Sequence, residues 1–429
     1  MLIDFTVGNF LSIKDKITLS MLASGIKEHS TTNVFDSGKH KLLKSAAIYG
    51  ANASGKSNLI KAMIFMRNYI IESAKNKQSG EDIKVIPFLL NSETQKSKSS
   101  FEIIIQIKDI TYRYGFEIDN KKVHSEWLFQ TQKSREIQLF TRELQKIEIS
   151  EYFKEGKLLG DKTRENALFL SVVAQFNGKI AISILKWFFN LNVMSGLDDI
   201  GFMSFTLEQF ANVVEKEKIE NLLKIFDLGF ENLKLLKIPI NNHEKTEILP
   251  YGAYHGNLIK GSTSELVDVL ATHSVFNENN KIIKQIDFPL SLLESDGTQK
   301  IISLSGPLIA IFENTSVVVI DELDSRLHPI LTKKIIELFH SEINKYNSQL
   351  IFATHDTNLL DKDMMRRDQI WFTEKDAYGA TDLYSLVEFN MDNGKKVRND
   401  ASYEKDYILG KYGAIPYIGE FTNLSEMEK

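Results

Sequence analysis

The apolar positions change period along the chain, and the changes mark its elements. Ala46-Ala47-Ile48-Tyr49 is an unbroken apolar run, and Asn58-Leu59-Ile60-Lys61-Ala62-Met63 opens a helical pattern. A buried strand followed by a helix from about Ser57 to Ala74 is predicted. Ahead of it, Ile3 to Leu19 alternates loosely around Asn9-Phe10-Leu11-Ser12-Ile13, as in a hairpin. Phe101 to Ile107 and Thr111 to Ile118 read as strands paired across the turn Lys108-Asp109-Ile110, with Val123 to Gln130 as a third. Leu168 to Val173 also reads as a strand. From 178 to 235 the spacing turns helical: Leu207, Phe210, Val213 and Val214 share a face, continued by Ile219, Leu222, Leu223 and Ile225. Its Phe and Trp residues read as core. Beyond 300 a helical run, the apolar run Val317 to Ile320, a second helix and the run Leu350 to Ala353 alternate as in a parallel α/β sheet. Three segments are expected: an N-terminal lobe with a β-subdomain (1–177), a mainly helical insertion (178–264) and a C-terminal lobe (265–429).

Composition narrows the class. With 43% hydrophobic residues in 429, the chain is globular and long enough for two or three domains. Lys+Arg 52 against Asp+Glu 57 leaves −5, so no overall basic charge announces nucleic acid. The clusters Arg366-Arg367 and Lys395-Lys396-Val397-Arg398 read as solvated surface, with nucleic acid or a partner protein as the alternative. The absence of cysteine excludes disulfides, thiolate zinc sites and cysteine nucleophiles, and suits a reducing cytoplasm. Met1-Leu2-Ile3-Asp4-Phe5 lacks the start of a signal peptide, and the run Ala181 to Met194, broken by Lys186, is too short to span a bilayer. A cytoplasmic protein without a membrane partner is expected.

The chemistry concentrates in four places. Residues 50–57, Gly-Ala-Asn-Ala-Ser-Gly-Lys-Ser, match G-x-x-x-x-G-K-[ST] in full, between a strand and a helix. Gly50 and Gly55 allow the tight turn that aims backbone N–H groups at phosphates, and Lys56 reaches the β- and γ-phosphates. The Ser57 hydroxyl suits Mg²⁺, and Asn52, Ala53, Ser54 and Asn58 complete the expected ATP cradle. Val317-Val318-Val319-Ile320-Asp321-Glu322 is a doubly buried strand ending in two carboxylates. Asp321 there would hold Mg²⁺, directly or through water, and Glu322 would polarise the attacking water. Ser295 and Gly297, at the start of a helical run, form a second anion site, where Asp296 sits awkwardly because its carboxylate repels phosphate unless it turns away to cap the helix. His355 ends the strand Leu350 to Ala353, placed to meet a γ-phosphate or the water.

In this order the motifs resemble the ABC-type ATPase heads of the SMC/RecF kind. The resemblance implies a P-loop at Gly50–Ser57, a Q-loop glutamine at Gln175 touching nucleotide and metal, and a signature at Ser295-Asp296-Gly297. It further implies a Walker B pair at Asp321-Glu322, a D-loop at Leu323-Asp324-Ser325 with Asp324 at the nucleotide, and a switch histidine at His355. The fold implied is an α/β P-loop NTPase head of mixed and parallel sheet, with an N-terminal β-subdomain and a helical insertion. The resemblance is closer to the prokaryotic abortive-infection ATPases called RloA-like or AbiLi-like. It is carried by Asn9–Ile13, Arg113-Tyr114-Gly115-Phe116, Thr163 to Phe169, Glu294 to Gln299, Arg326-Leu327-His328-Pro329 and Tyr407 to Pro416.

This implies an ATPase with Lys56, Glu322 and His355 as catalytic residues and ATP and Mg²⁺ as cofactors. ATP is expected between two copies, the P-loop of one facing Ser295 and Gly297 of the other. Such proteins act in anti-phage or retron-like defence beside a separately encoded effector, often a nuclease. The rival expectation is a RecF/SMC-like repair ATPase that binds DNA itself.

Overall fold

A strand covered on both faces needs an unbroken apolar run, and three of the runs become such strands. In the computed structural model they are Ser45–Tyr49, Val317–Asp321 and Gln349–Ala353. The structure describes all residues except 76–79, 134, 198, 240–258, 261–264, 392–393 and 417–429. The chain forms two units, one of Met1–Met194, Thr315–Leu323 and Ile336–Lys429, the other of Ser195–Asn314 and Asp324–Ile335. Residues 178–194 thus belong to the first unit and 265–314 to the second, a division that crosses the segments expected from the pattern. Parts of the expected insertion (198, 240–258 and 261–264) lie outside the described residues.

The first unit holds two large sheets and the small antiparallel pair Val34–Asp36 and Lys41–Leu43. In the six-stranded one the order is Leu191–Ser195, Val317–Asp321, Gln349–Ala353, Ser45–Tyr49, Ile370–Lys375, Thr381–Ser385. The pairs among the second to fifth strands are parallel, and the last strand is antiparallel. The seven-stranded sheet is antiparallel and joins the hairpin strands Leu2–Gly8 and Ile17–Ser20 to Ser99–Ile107, Ile110–Ile118, Val123–Gln132, Arg135–Glu143 and Lys146–Ile149. This is the expected β-subdomain. The helix Lys56–Glu72 buries Leu59, Ile60, Ala62, Met63, Met66, Tyr69 and Ile70, one face at helical spacing. Each large apolar side chain buried this way contributes about 1.5–3 kcal/mol.

The apolar run at 168–173 is a helix, Phe169–Gln175, and not a strand. Its first N–H groups, on Phe169 and Leu170, donate to the buried Glu126 carboxylate at 2.7 and 2.9 Å. Arg142, also buried, sits 3.5 Å from that carboxylate and donates to Ala167 O at 2.6 Å. A charge at the helix N-terminus thus satisfies donors a helix leaves open. No single described helix is long and apolar enough to cross a membrane. Phe169–Gln175 and Lys179–Phe189 together pass on length and composition but are bent by 107°, and Phe169, Leu170, Ile184 and Phe188 are core residues.

In the second unit, Asn232–Pro239, Ile259–Lys260 and Ile282–Pro289 pair antiparallel with Glu265–Phe276. The helices Asp199–Phe210 and Asp296–Phe312 meet where Thr206 Oγ1 donates to Ser303 O at 2.7 Å and accepts from Gly306 N at 3.1 Å.

Candidate nucleotide site

Sheet register assembles the site. Ala353 pairs with Ile48 and Phe352 with Ile320, so the strands before the P-loop, His355 and Asp321 are neighbours ending at one edge. Adjacent strands lie about 4.8 Å apart, and the C-terminal edge of a parallel sheet is where such folds bind ligands. The structure therefore brings Gly50–Ser57, Asp321, Glu322 and His355 together within the first unit.

The P-loop is held from outside. Gly50 has φ 155 and Gly55 φ 115, and a Cβ on Gly55 would stand 2.2 Å from Thr381 Oγ1. Only glycine fits there. Thr381 Oγ1 donates to Ser54 O at 2.8 Å and shares a 2.8 Å hydrogen bond with Ser12 Oγ, while Thr381 N donates to Ser12 O. Thr373 Oγ1 bonds Ser54 Oγ at 2.6 Å. Asn58 Nδ2 donates to Ser12 Oγ at 2.7 Å, so this side chain braces the loop rather than facing into it. Asn52 and Ala53 are exposed at the loop tip, Ala53 with φ 62. Lys56 Nζ donates to Gly50 O at 2.8 Å and Ala51 O at 3.1 Å, folding the buried ammonium across the loop. The helix behind the loop begins at Lys56, with Gly55 in its left-handed N-cap position.

Asp321 Oδ1 is buried and has no hydrogen-bond partner. Glu322 has φ 58, a left-handed backbone that costs a non-glycine residue about 1–2 kcal/mol. The turn is fixed on its far side, where Leu323 N donates to Ala353 O at 3.2 Å. Thr354 is buried with its N–H on Ile48 O at 3.2 Å, which leaves His355 exposed beside the start of the P-loop. Among the described residues no three acidic or histidine side chains gather as a metal site. A Mg²⁺ ion does not need that, since it takes one or two protein oxygens together with phosphate and water.

Gln175 is a correction. It is the last residue of the helix Phe169–Gln175 and lines a pocket of about 220 Å³ with Ile71, Ala74 and Lys75, past the far end of the P-loop helix. At 1.5 Å per residue that is roughly 22 Å from the helix start, beyond reach of nucleotide or metal. Ser295-Asp296-Gly297 and, from the expected D-loop, Asp324 and Ser325 lie in the second unit, while Leu323 lies in the first. Ser295 Oγ accepts from Thr298 N at 3.1 Å and caps the helix Asp296–Phe312, in which Asp296 is the first residue. Ser295 is exposed, and the position of a Gly297 Cβ is 3.0 Å from Arg326 O. Asp324 carries a buried, unpartnered Oδ1. Arg366 and Arg367 are not solvated: Arg366 is 1% exposed and bonds Asp368, and Arg367 bonds Glu28 and Val397 O. Sequence reasoning missed Thr373 and Thr381, threonines in strands with no motif around them, whereas Ser12 lay inside a quoted phrase.

The family described as "AAA domain, putative AbiEii toxin, Type IV TA system" matches residues 45–361, well over half of the chain. The chain belongs to this family. The match takes in the P-loop, Ser295 to Gly297, Asp321-Glu322 and His355, and makes the chain a P-loop protein with an AAA domain. Among solved structures, an SMC head bound to the C-terminal winged-helix domain of ScpA is 16% identical at a TM-score of 0.45, covering 90% of this chain and 97% of that one. The SMC head domain from Thermotoga maritima is 13% identical at 0.39, covering 90% and 98%. CbiO1 of Clostridium perfringens, part of the ABC transporter complex cbiONQ, is 13% identical at 0.31, covering 89% and 88%. No curated protein matches the chain.

Proposed function

We propose that this AAA-family protein hydrolyses ATP at a site completed by a second copy of itself, and that hydrolysis controls a separately encoded, nuclease-like effector in anti-phage defence. One observation carries the reading. The P-loop, Asp321, Glu322 and His355 share one sheet edge in one unit, while Ser295 and Gly297 stand at a helix N-terminus in the other.

The buried, unpartnered Asp321 Oδ1 and the Ser57 hydroxyl suit Mg²⁺. Bound there, the ion neutralises charge building on the β- and γ-phosphates. Gly50 to Ser57 cradle the phosphates by backbone N–H groups, and Lys56 exchanges its loop carbonyls for phosphate oxygens. Glu322 orients the water, and His355 meets the γ-phosphate. Phosphoryl transfer depends on positioned donors around the transferring group. The P-loop face supplies one side of them, and Ser295, Gly297 and Asp324 of a second copy supply the other. Direct DNA binding has less support here, because the arginine pair 366–367 is consumed by Asp368 and Glu28.

Phosphate release from ATP and Mg²⁺, followed against protein concentration, tests this reading. Activity per chain should rise with concentration and vanish in Lys56→Ala. A rate per chain independent of concentration, with a monomer in light scattering, rejects the shared site. Co-purification of the native chain identifies the effector, and isolation of a fully active ATPase with DNA and no second protein would favour the repair alternative.

A further inference from the structure

The residue just before the signature turn is tied to the antiparallel sheet of its own unit. His273, in the strand Glu265–Phe276, places Nε2 2.7 Å from Glu294 Oε1. Glu294 precedes Ser295 directly, and it is fixed at two further points. Its N–H donates to Leu290 O at 3.1 Å, and its carbonyl accepts from Gln299 Nε2 at 2.9 Å. The Glu294 side chain is 11% exposed, so water competes little for the contact. His273 is opposite Ile286 in the sheet register, and its ring lies 5.9 Å from that of Phe288. The same two strands run on to a projecting tip where Phe276, Ile282 and Ile283 are 55%, 59% and 60% exposed.

We infer that His273 is a positioning residue, which holds Glu294 and through it sets the Ser295–Gly297 turn, coupling the sheet to the ATP-facing signature. The inference rests on the proposed role of Ser295 and Gly297 at a second copy's nucleotide. The chemistry needs a donor at position 273. An imidazole N–H to a carboxylate is a charge-assisted hydrogen bond, shorter and stronger than a neutral one. Ser295 and Asp296 are exposed, and the cap on Ser295 is local to its own first turn. The Glu294 tether therefore adds a side-chain link between turn and sheet to the chain itself, which runs from the strand Ile282–Pro289 through the short helix Leu290–Leu293. A shift of the sheet would carry Glu294 with it and so move Ser295, the next residue.

The test uses the full chain in a Glu322→Gln background, which arrests turnover. His273→Leu keeps bulk and removes the donor, and His273→Gln keeps an N–H. ATP-dependent dimerisation is followed by light scattering, and binding of a fluorescent ATP analogue to the monomer is followed separately. His273→Leu should need about tenfold more ATP for half-maximal dimer, the loss of one hydrogen bond to a charged group. Monomer binding should not change, and His273→Gln should lie within about twofold of the parent. Equal ATP requirements for His273→Leu and the parent, or equal losses in the Leu and Gln variants, overturn the assignment. Should His273→Leu fail to fold, Glu294→Leu breaks the same contact from the other side and must give the same shift. If the Glu322→Gln parent itself never dimerises, the shared-site reading fails instead, which separates the two failures.

Discussion

The loop Gly50–Ser57 and the turn Ser295–Gly297 both open helices, where backbone N–H groups and the helix dipole favour anions. They are constrained to opposite degrees. The P-loop is buried at Gly50, Ser54, Gly55 and Lys56 and braced by Ser12, Thr373 and Thr381 from two other parts of the first unit. The signature turn is capped by its own Ser295, tied at Glu294, and flanked by Leu292 and Leu293 at 61% and 56% exposure. A loop that binds phosphate alone must be set in advance, because ordering it at binding would subtract from affinity. A turn that meets its phosphate in an assembly can stay exposed until the partner covers it, and its apolar flanks suit burial there.

The largest break in the comparison comes from Glu322, the carboxylate just past the strand Val317–Asp321. Glu322→Gln should leave nucleotide binding intact, accumulate dimer and lower phosphate release by roughly 10²–10⁴. Wild-type turnover in that variant would remove Glu322 from the chemistry and with it the reason for its left-handed turn at φ 58.

The same substitution in the two glycines sharpens the contrast. Gly55→Ala sets a Cβ 2.2 Å from Thr381 Oγ1 at φ 115, so it should cost about 1–3 kcal/mol of stability and abolish nucleotide binding. Gly297→Ala meets Arg326 O at 3.0 Å and Ser295 Oγ at 3.8 Å, inside the helix Asp296–Phe312. It should change stability by no more than about 0.5 kcal/mol, keep monomer nucleotide binding and weaken the ATP-dependent dimer. Thermal melts with and without nucleotide measure both. Equal losses of binding in the two variants would mean that both turns serve one nucleotide in one chain.

These regions also differ in how much of them could be read from the chain. The P-loop is a contiguous octet between a strand and a helix, so pattern and chemistry coincide within a few residues. Asp321 and His355 were legible for a related reason: each ends an apolar run, and parallel strands put such ends at one edge. Gln175 was misplaced because Leu168 to Val173, an apolar run broken only by Ser171, has no clear period to separate strand from helix. What decides for the helix is Glu126, a carboxylate far away in sequence that caps Phe169 and Leu170. Arg366 misled in the same way. Its guanidinium is satisfied by Asp368 and by carbonyls at Ser24, Ile26 and Glu28, and adjacency in the chain shows only the first of these.

The smallest effect separates the two regions by pH. His340 lies beneath the P-loop strand, with Nε2 2.8 Å from Ser45 Oγ, whereas the histidine beside the signature turn, His273, is part-exposed and paired with Glu294. Burial pushes its imidazole down to about 3 from 6.5, helped by the nearby Lys44 ammonium and by His29. The folded state therefore refuses a proton that the unfolded chain accepts below about 6.5. Stability from this group is present in full above that pH and is lost as pH falls toward 3, by about 1.4 kcal/mol for each unit once well below 6.5. Urea titrations at pH 7, 6 and 5 should show the first unit weakening, and His340→Gln, whose amide can still bond Ser45 Oγ, should flatten the dependence. The acid loss would then begin at the strand that carries Gly50, so monomer nucleotide affinity should fall with it, while the melting of the second unit holds. A pH slope unchanged by His340→Gln would assign the acid sensitivity to carboxylates and leave the P-loop strand indifferent to this histidine.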